Sequence, residues 1–181
     1  MAHLKEEFEK LDLEKIKGEV IGLTLENYFS FILEKEGEEG VRRVEDGLAQ
    51  LGYPLKHKEI KNFQWYPRIM DEAMYFATKR VLNWGDEVFR ESGTWGPRVS
   101  YITRIMMKHL ISIERVFREV SNYWRKYYTV GNLVPIEIST EEKYLIIELD
   151  IPVVCPEHCR YWEGYFWQVG AFVLPKEDFK L

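Results

Sequence analysis

The stretch Val134–Asp150, VPIEISTEEKYLIIELD, decides the fold class because its apolar residues follow a spacing of two. Apolar residues alternate with other residues in two runs, at Val134, Ile136 and Ile138 and then at Leu145, Ile147, Leu149 and Ile151. Such alternation is typical of β-strands, and the polar Thr140–Glu142 between the runs predicts a turn. The stretch therefore predicts an antiparallel hairpin over about 132–151. Pro135 is expected at an edge or in a bulge, since proline has no N–H for the ladder.

Upstream of the hairpin, apolar residues recur every three or four positions, which is typical of amphipathic helices. After a short extended entry at 18–22, helices are predicted over about 23–35, from 41 to a stop at Gly52, from Pro67 to about Val81, over 86–91, over 98–110 and from Ser112 onward. Gly37 is expected to end the first helix. The glycines and proline of Gly93–Pro97 predict a loop.

Downstream of the hairpin, Pro156 marks the start of a helix over about 156–171, and 174–181 is a candidate last strand. These elements predict an α+β fold, with a helical N-terminal region followed by a small antiparallel sheet packed against a C-terminal helix. We expect one domain over 1–181. It comprises a polar lead (1–17), a mainly helical region (18–128) and the hairpin plus helix (129–181).

The composition restricts the partners of this 181-residue chain. Its net charge of −5 gives no overall attraction for nucleic acid or an anionic membrane. No segment approaches the ~20 consecutive apolar residues of a membrane-spanning helix. The charged N-terminus is unlike a signal peptide, and two cysteines make no disulfide framework. We therefore expect a cytoplasmic protein, and its Lys- and Glu-rich composition suggests a thermophilic bacterial source.

The segment Cys155–Cys159, CPEHC, is the candidate metal or thiol site. Cys155, His158 and Cys159 fall on one face of the predicted helix, and sulfur and imidazole are ligands that zinc and related metals prefer. The helix start also favours a thiolate by lowering a thiol pKa. The alternative is that both cysteines are small core residues and His158 lies at the surface. No second cysteine pair is present to complete a four-ligand site.

Other candidate chemistry is sparse. Adjacent carboxylates such as Asp71 and Glu72 are typical of solvated charge, and no nucleophile elbow, phosphate loop or zinc-protease motif is present. His109 is a lone helical histidine, and such residues are more often structural than haem ligands. The aromatic fraction of 15% is high, and aromatic residues able to line a ligand pocket are Trp65, Tyr66, Tyr101, Trp124, Trp162 and Phe166. The alternative is that they form the core.

The segment 159–166, CRYWEGYF, resembles the C-x-Y-x-x-G-Y/F-F/L helix of the 4-vinyl reductase-like domains. Three other pieces are similar to a bacterial family of uncharacterised paralogues best known from myxobacteria. They are Gly18–Ile21 before an aromatic helix, Trp65–Pro67 opening a helix, and Ser112–Arg115 leading to Trp124 and Gly131. Together these pieces span about 18–170.

Both groups resemble the haem nitric-oxide/oxygen-binding (H-NOX) domains and the TRAPP trafficking subunits. The resemblance implies an α+β fold that encloses an apolar ligand pocket between helices and sheet. The chain departs from the haem-binding branch, because it lacks a Tyr-x-Ser-x-Arg signature; Tyr101–Arg104 matches it only superficially. It also lacks the further cysteines of many 4-vinyl reductase-like domains, which argues against a metal role carried over from them.

These observations predict a non-enzymatic, sensory or regulatory domain that binds a small apolar ligand or a partner protein, as a homodimer. The ligand would shift the packing of the helical region against the hairpin by favouring one arrangement. No cofactor is identified. The alternative is a metal- or thiol-dependent enzyme or redox sensor that uses Cys155, His158 and Cys159.

Overall fold

The computed structural model describes residues 2–99, 113–139, 141–142 and 144–173, and it confirms the α+β class. The helices within these ranges are α1 (Ala2–Glu9), α2 (Gly22–Leu51), α3 (Arg68–Leu82), α4 (Asp86–Val99), α5 (Ile113–Trp124) and α6 (Pro156–Val173). The strands are β1 (Glu19–Ile21), β2 (Trp65–Pro67), β3 (Asn132–Ser139) and β4 (Tyr144–Asp150). Short 3-10 turns occupy Leu13–Lys15 and His57–Glu59. The predicted last strand, and most of the predicted helix at 98–110, lie outside the described residues.

Strands β3 and β4 form the predicted antiparallel hairpin, and Pro135 adjoins a bulge as expected. The register of β3 against β4 shifts between Pro135 and Glu137. The β3 side chains that face the core are therefore odd-numbered before the bulge and even-numbered after it. Leu133, opposite Leu149, is therefore buried, whereas Val134 and Ile136 are exposed. The alternating run thus identifies a strand but does not lie on a single face of it.

A second two-stranded sheet connects the N-terminal and central parts of the chain. Strand β1 pairs antiparallel with β2, with Val20 opposite Tyr66. Val20 also bridges to Tyr128, which follows α5. The extended entry at 18–22 was predicted, but the strand at 65–67 was not. Its three residues are too few for an alternation pattern.

Helix α2 is one element where the sequence predicts two. Gly37 adopts φ 71° and ψ −172° inside it, so the predicted break survives as a local kink. The helix ends as predicted at Gly52, which is left-handed with φ 90°. Helix α3 begins just after Pro67 and ends at Asn83, which is also left-handed.

The predicted loop at Gly93–Pro97 is wrong, because these residues lie within α4. A Cβ atom added at Gly93 would overlap the carbonyl oxygen of Tyr161, and one added at Gly164 would overlap that of Arg90. The two glycines therefore allow α4 and α6 to approach backbone to backbone. Glycine here serves close helix packing and does not mark a turn.

One hydrophobic core joins the helices to the start of the hairpin. It includes Phe8 from α1, so the predicted polar lead contributes a helix with an inward face. Rings from α5, the residues that follow it, and α6 contact one another, with Trp124 stacked on Tyr128 and edge-on to Trp162. Within the described residues, no helix is long and apolar enough to cross a membrane.

Candidate functional site

Four ionisable side chains meet in the interior where the start of α3 faces the start of α6. Arg68, Asp71 and Glu72 share one face of α3 because they are three and four residues apart. His158 comes from the first turn of α6. Each of the four is at most 1% exposed. We call these four residues the polar cluster. Charged groups are rarely buried so completely unless they are paired.

Glu72 is the centre of the polar cluster. Its Oε1 accepts a hydrogen bond from Arg68 Nη1 at 3.2 Å and lies 2.8 Å from His158 Nδ1. Its Oε2 accepts the backbone N–H groups of Val154 and Cys155, both at 3.2 Å. Burial acts to raise the pKa of Glu72, but the combined effect of His158, Arg68 and the backbone donor lowers it below its ordinary value. Glu72 is therefore an ionised acceptor, and His158 Nδ1 is the donor.

Arg68 adds a second bond across the same junction, because its Nη2 donates to the carbonyl oxygen of Pro152. The connector between β4 and α6, residues 151–155, is thus held at Pro152, Val154 and Cys155 by charged groups of α3. The hairpin–α6 region and the helical region are joined here by charge-assisted hydrogen bonds.

Asp71 lies on the other side of the imidazole. Its Oδ2 is 3.4 Å from His158 Nε2 and accepts a hydrogen bond from the Tyr128 hydroxyl at 3.2 Å. Burial raises the pKa of Asp71 above its ordinary value, against the opposing effect of His158. The imidazole itself lies between two rings, with centroids 4.3 Å from Tyr75 and 3.9 Å from Trp162.

Several buried polar atoms around Asp71 have no hydrogen-bond partner within the described chain. Those nearest the polar cluster are Asp71 Oδ1, His158 Nε2, Tyr28 Oη, Tyr75 Oη and Arg68 Nε. Buried polar atoms are nearly always paired, so such a concentration calls for an explanation. The Tyr28 hydroxyl is the weakest of these cases. A hydrogen-bonding contact with Thr78 acts to lower its pKa, which burial raises.

The structure does not arrange Cys155, His158 and Cys159 as a metal site. The imidazole nitrogens face Glu72 and Asp71, and the Cys155 thiol donates to the Glu72 carbonyl oxygen at 3.5 Å. Over the residues described, no group of three or more His, Cys, Asp or Glu side chains is placed to hold a metal ion. The expectation of a surface His158 is wrong, because its side chain is fully buried against Asp71 and Glu72.

The two thiol groups also lack the lowered pKa values that were expected at a helix start. Burial, reinforced by the charges of Glu72 and Glu157, raises the pKa of Cys155. Burial and nearby carboxylates likewise raise the pKa of Cys159, which is only partly buried. The helix start was predicted to have the opposite effect. Desolvation and negative charge outweigh it here.

The predicted aromatic set is divided between different parts of the molecule. Trp124 and Trp162 contact each other beside the polar cluster, with centroids 5.9 Å apart. Trp65 is exposed on β2, and the hydroxyl of its neighbour Tyr66 accepts the Lys61 N–H. Phe166 is partly buried and meets Tyr165. Tyr101, like His109, lies outside the described residues.

A groove of about 510 Å³ lies elsewhere, on the outer side of α2 beside the turn at His57–Glu59. Charged side chains of both signs line it, including Glu38, Arg42 and Lys56. This groove is not the predicted apolar pocket between helices and sheet.

Sequence reasoning missed Arg68, Tyr75 and Tyr128. Its interpretation of Asp71 and Glu72 as solvated charge is wrong, because both side chains are fully buried. The available signal was the spacing of Arg68 and Glu72, which is that of an ion pair on one helix face. Comparison of the chain with protein-family models, with curated proteins and with solved structures yields no match.

Proposed function

We propose that this protein is a non-enzymatic regulatory domain in which a small bound molecule alters how the hairpin and α6 pack against the helical region. The observation that supports it best is the position of Glu72, whose two oxygens join α3 to α6 and to the connector at 151–155. A shift of His158 on ligand binding would act on that connector through Glu72, and a shift of Asp71 would do so through His158.

The bonds of the polar cluster favour a ligand response over turnover. His158 and Asp71 are the groups best suited to move a proton, but both are held against other charged or hydroxyl groups. We take a charged junction of this kind to have two arrangements, paired and opened, whose balance a bound molecule changes.

The predicted resemblance to 4-vinyl reductase-like and H-NOX-like domains agrees with this proposal, since it implies ligand binding between helices and sheet. The homodimer, the partner protein and the cytoplasmic location stay predictions. The alternative thiol or redox function is less favoured, because both thiol pKa values are raised.

The test is hydrogen–deuterium exchange on natively purified protein and on protein unfolded and refolded to remove small molecules. We expect the refolded protein to exchange faster over 144–158, while 23–33 in α2 is unchanged. Adding back the low-mass extract released from the native protein should restore protection. Native mass spectrometry of both samples reports the ligand.

Glu72→Gln should remove this response by weakening the connector bonds. Glu45→Gln is the matched control. Glu45 lies on α2, and it also accepts one hydrogen bond from a charged side chain, that of Lys56, and one from a backbone N–H, that of His57. Identical exchange in native and refolded samples would contradict the proposal, as would an equal response in the Glu72 variant.

A further inference from the structure

The unpartnered atoms beside the polar cluster have a shared location. Tyr75 stacks on His158 with centroids 4.3 Å apart, and Tyr28 lies edge-on to Tyr75 at 4.6 Å. The negative charge of Asp71 contributes to the raised pKa values of Tyr28, Tyr75, Tyr128 and Tyr161, after the larger effect of burial. Asp71 therefore lies near four phenol groups, and only Tyr128 hydrogen-bonds to it among the contacts described.

The unpartnered atoms define what an occupant must offer. Asp71 Oδ1 has no partner and, when ionised, accepts only, so it requires an N–H or O–H donor. The Tyr75 hydroxyl also has no partner and supplies an O–H to an acceptor oxygen. Both side chains are 0% exposed, so bulk water does not satisfy them.

The burial of the polar cluster disfavours an ionic occupant. All four of its side chains are at most 1% exposed, and Arg68 and Glu72 are already paired with each other. An additional charge in this interior would be desolvated, which is strongly unfavourable. The surrounding rings of Tyr75 and Trp162 offer apolar faces to the uncharged part of an occupant.

We infer that Asp71 and Tyr75 form a closed binding site for a small uncharged molecule that carries both an N–H or O–H donor and an acceptor oxygen, such as a primary amide or a short alcohol. The inference deepens the proposed function and rests on it. The ligand differs from the apolar one predicted from the sequence, because the binding atoms are polar.

Three molecules of nearly identical shape test the charge requirement: acetamide, acetate and acetamidinium. We expect acetamide to raise the melting temperature at pH 7 saturably, by about 3 °C near ten times its Kd. The two ions should give no saturable rise. Tyr75→Phe should abolish the effect of acetamide, whereas Tyr53→Phe, a partly buried tyrosine packed on Phe8, should retain it.

A second measurement does not depend on a variant that folds. An NMR experiment with methyl-labelled acetamide should show magnetisation transfer to the ring protons of Tyr75 or Trp162. No transfer, an equal melting shift with all three molecules, or an undiminished shift in folded Tyr75→Phe would each overturn the inference. A crystal structure with ordered water alone at Asp71 in saturating acetamide would do the same. Coupled exchange over 144–158 would then still support the proposed function.

Discussion

At the scale of single residues, Asp71 and Glu72 are neighbours in sequence with opposite electrostatic environments. Burial raises the pKa of Asp71, whereas His158, Arg68 and backbone N–H groups outweigh burial at Glu72 and lower its pKa. The difference follows from the number of donors, since Glu72 receives four polar contacts and Asp71 has one unpartnered oxygen. Glu72→Gln and Asp71→Asn should therefore change the stability of the protein with opposite pH dependence.

Glu72→Gln should destabilise the protein by about 3–5 kcal/mol at pH 7, the usual effect of breaking a buried ion pair. A lowered carboxyl pKa contributes stability above its ordinary value of 4.5, and this contribution disappears as the pH falls through the folded value. The difference from wild type should therefore shrink below pH 4.5. Urea denaturation over a pH series measures it, with Glu45→Gln as the control. A pH-independent difference would count against an ionised Glu72.

Asp71→Asn should show the reverse trend. A raised carboxyl pKa means that the folded state holds the proton more tightly, so wild type loses stability as the pH rises from 3.8 through the folded value. Asparagine cannot ionise, and its oxygen still accepts from Tyr128. The variant should thus gain stability relative to wild type over the interval from pH 3.8 up to the folded pKa of Asp71. The same urea series checks this, and a falling relative stability over that interval would refute it.

At the scale of elements, the closest helix contact is the crossing of α4 and α6. Gly93 and Gly164 face the carbonyl oxygens of Tyr161 and Arg90, so each helix places a glycine against the other's backbone. Polar side chains reinforce this crossing, since Arg90 on α4 donates to Glu163 on α6 at 2.7 Å.

Gly93→Ala should destabilise the protein by about 2–4 kcal/mol, because the new methyl group meets backbone that cannot move aside as a side chain does. Gly85→Ala is the control, since an added Cβ there has no neighbour within 4 Å. Thermal unfolding should show a large fall in melting temperature only for the first. Comparable melting temperatures for both variants would mean that the helices separate easily.

At the scale of the whole molecule, the sequence predicts the fold better than the site. Long periodic segments such as α3 and the hairpin are identified by spacing alone. The bulge at Pro135–Glu137 and the role of Gly93 are not, because both depend on a partner segment distant in the chain. The polar cluster is missed for the same reason. Asp71 and Glu72 have an unremarkable local sequence, and only the packing of α6 encloses them.

Because Cys155 lies within this enclosure, the reactivity of its thiol reports how readily the hairpin and α6 separate from the helical region. Its thiol is 1% exposed and has a raised pKa, and its N–H is bound to Glu72. In a Cys159→Ser background, reaction with a disulfide reagent at pH 8 should be at least ~1,000-fold slower than for an unfolded chain, because it requires the connector to open. Glu72→Gln should accelerate the reaction by weakening the bonds that hold 151–155. A rapid reaction in the Cys159→Ser protein with Glu72 intact, or a rate unaffected by Glu72→Gln, would show that the connector opens without breaking the polar cluster.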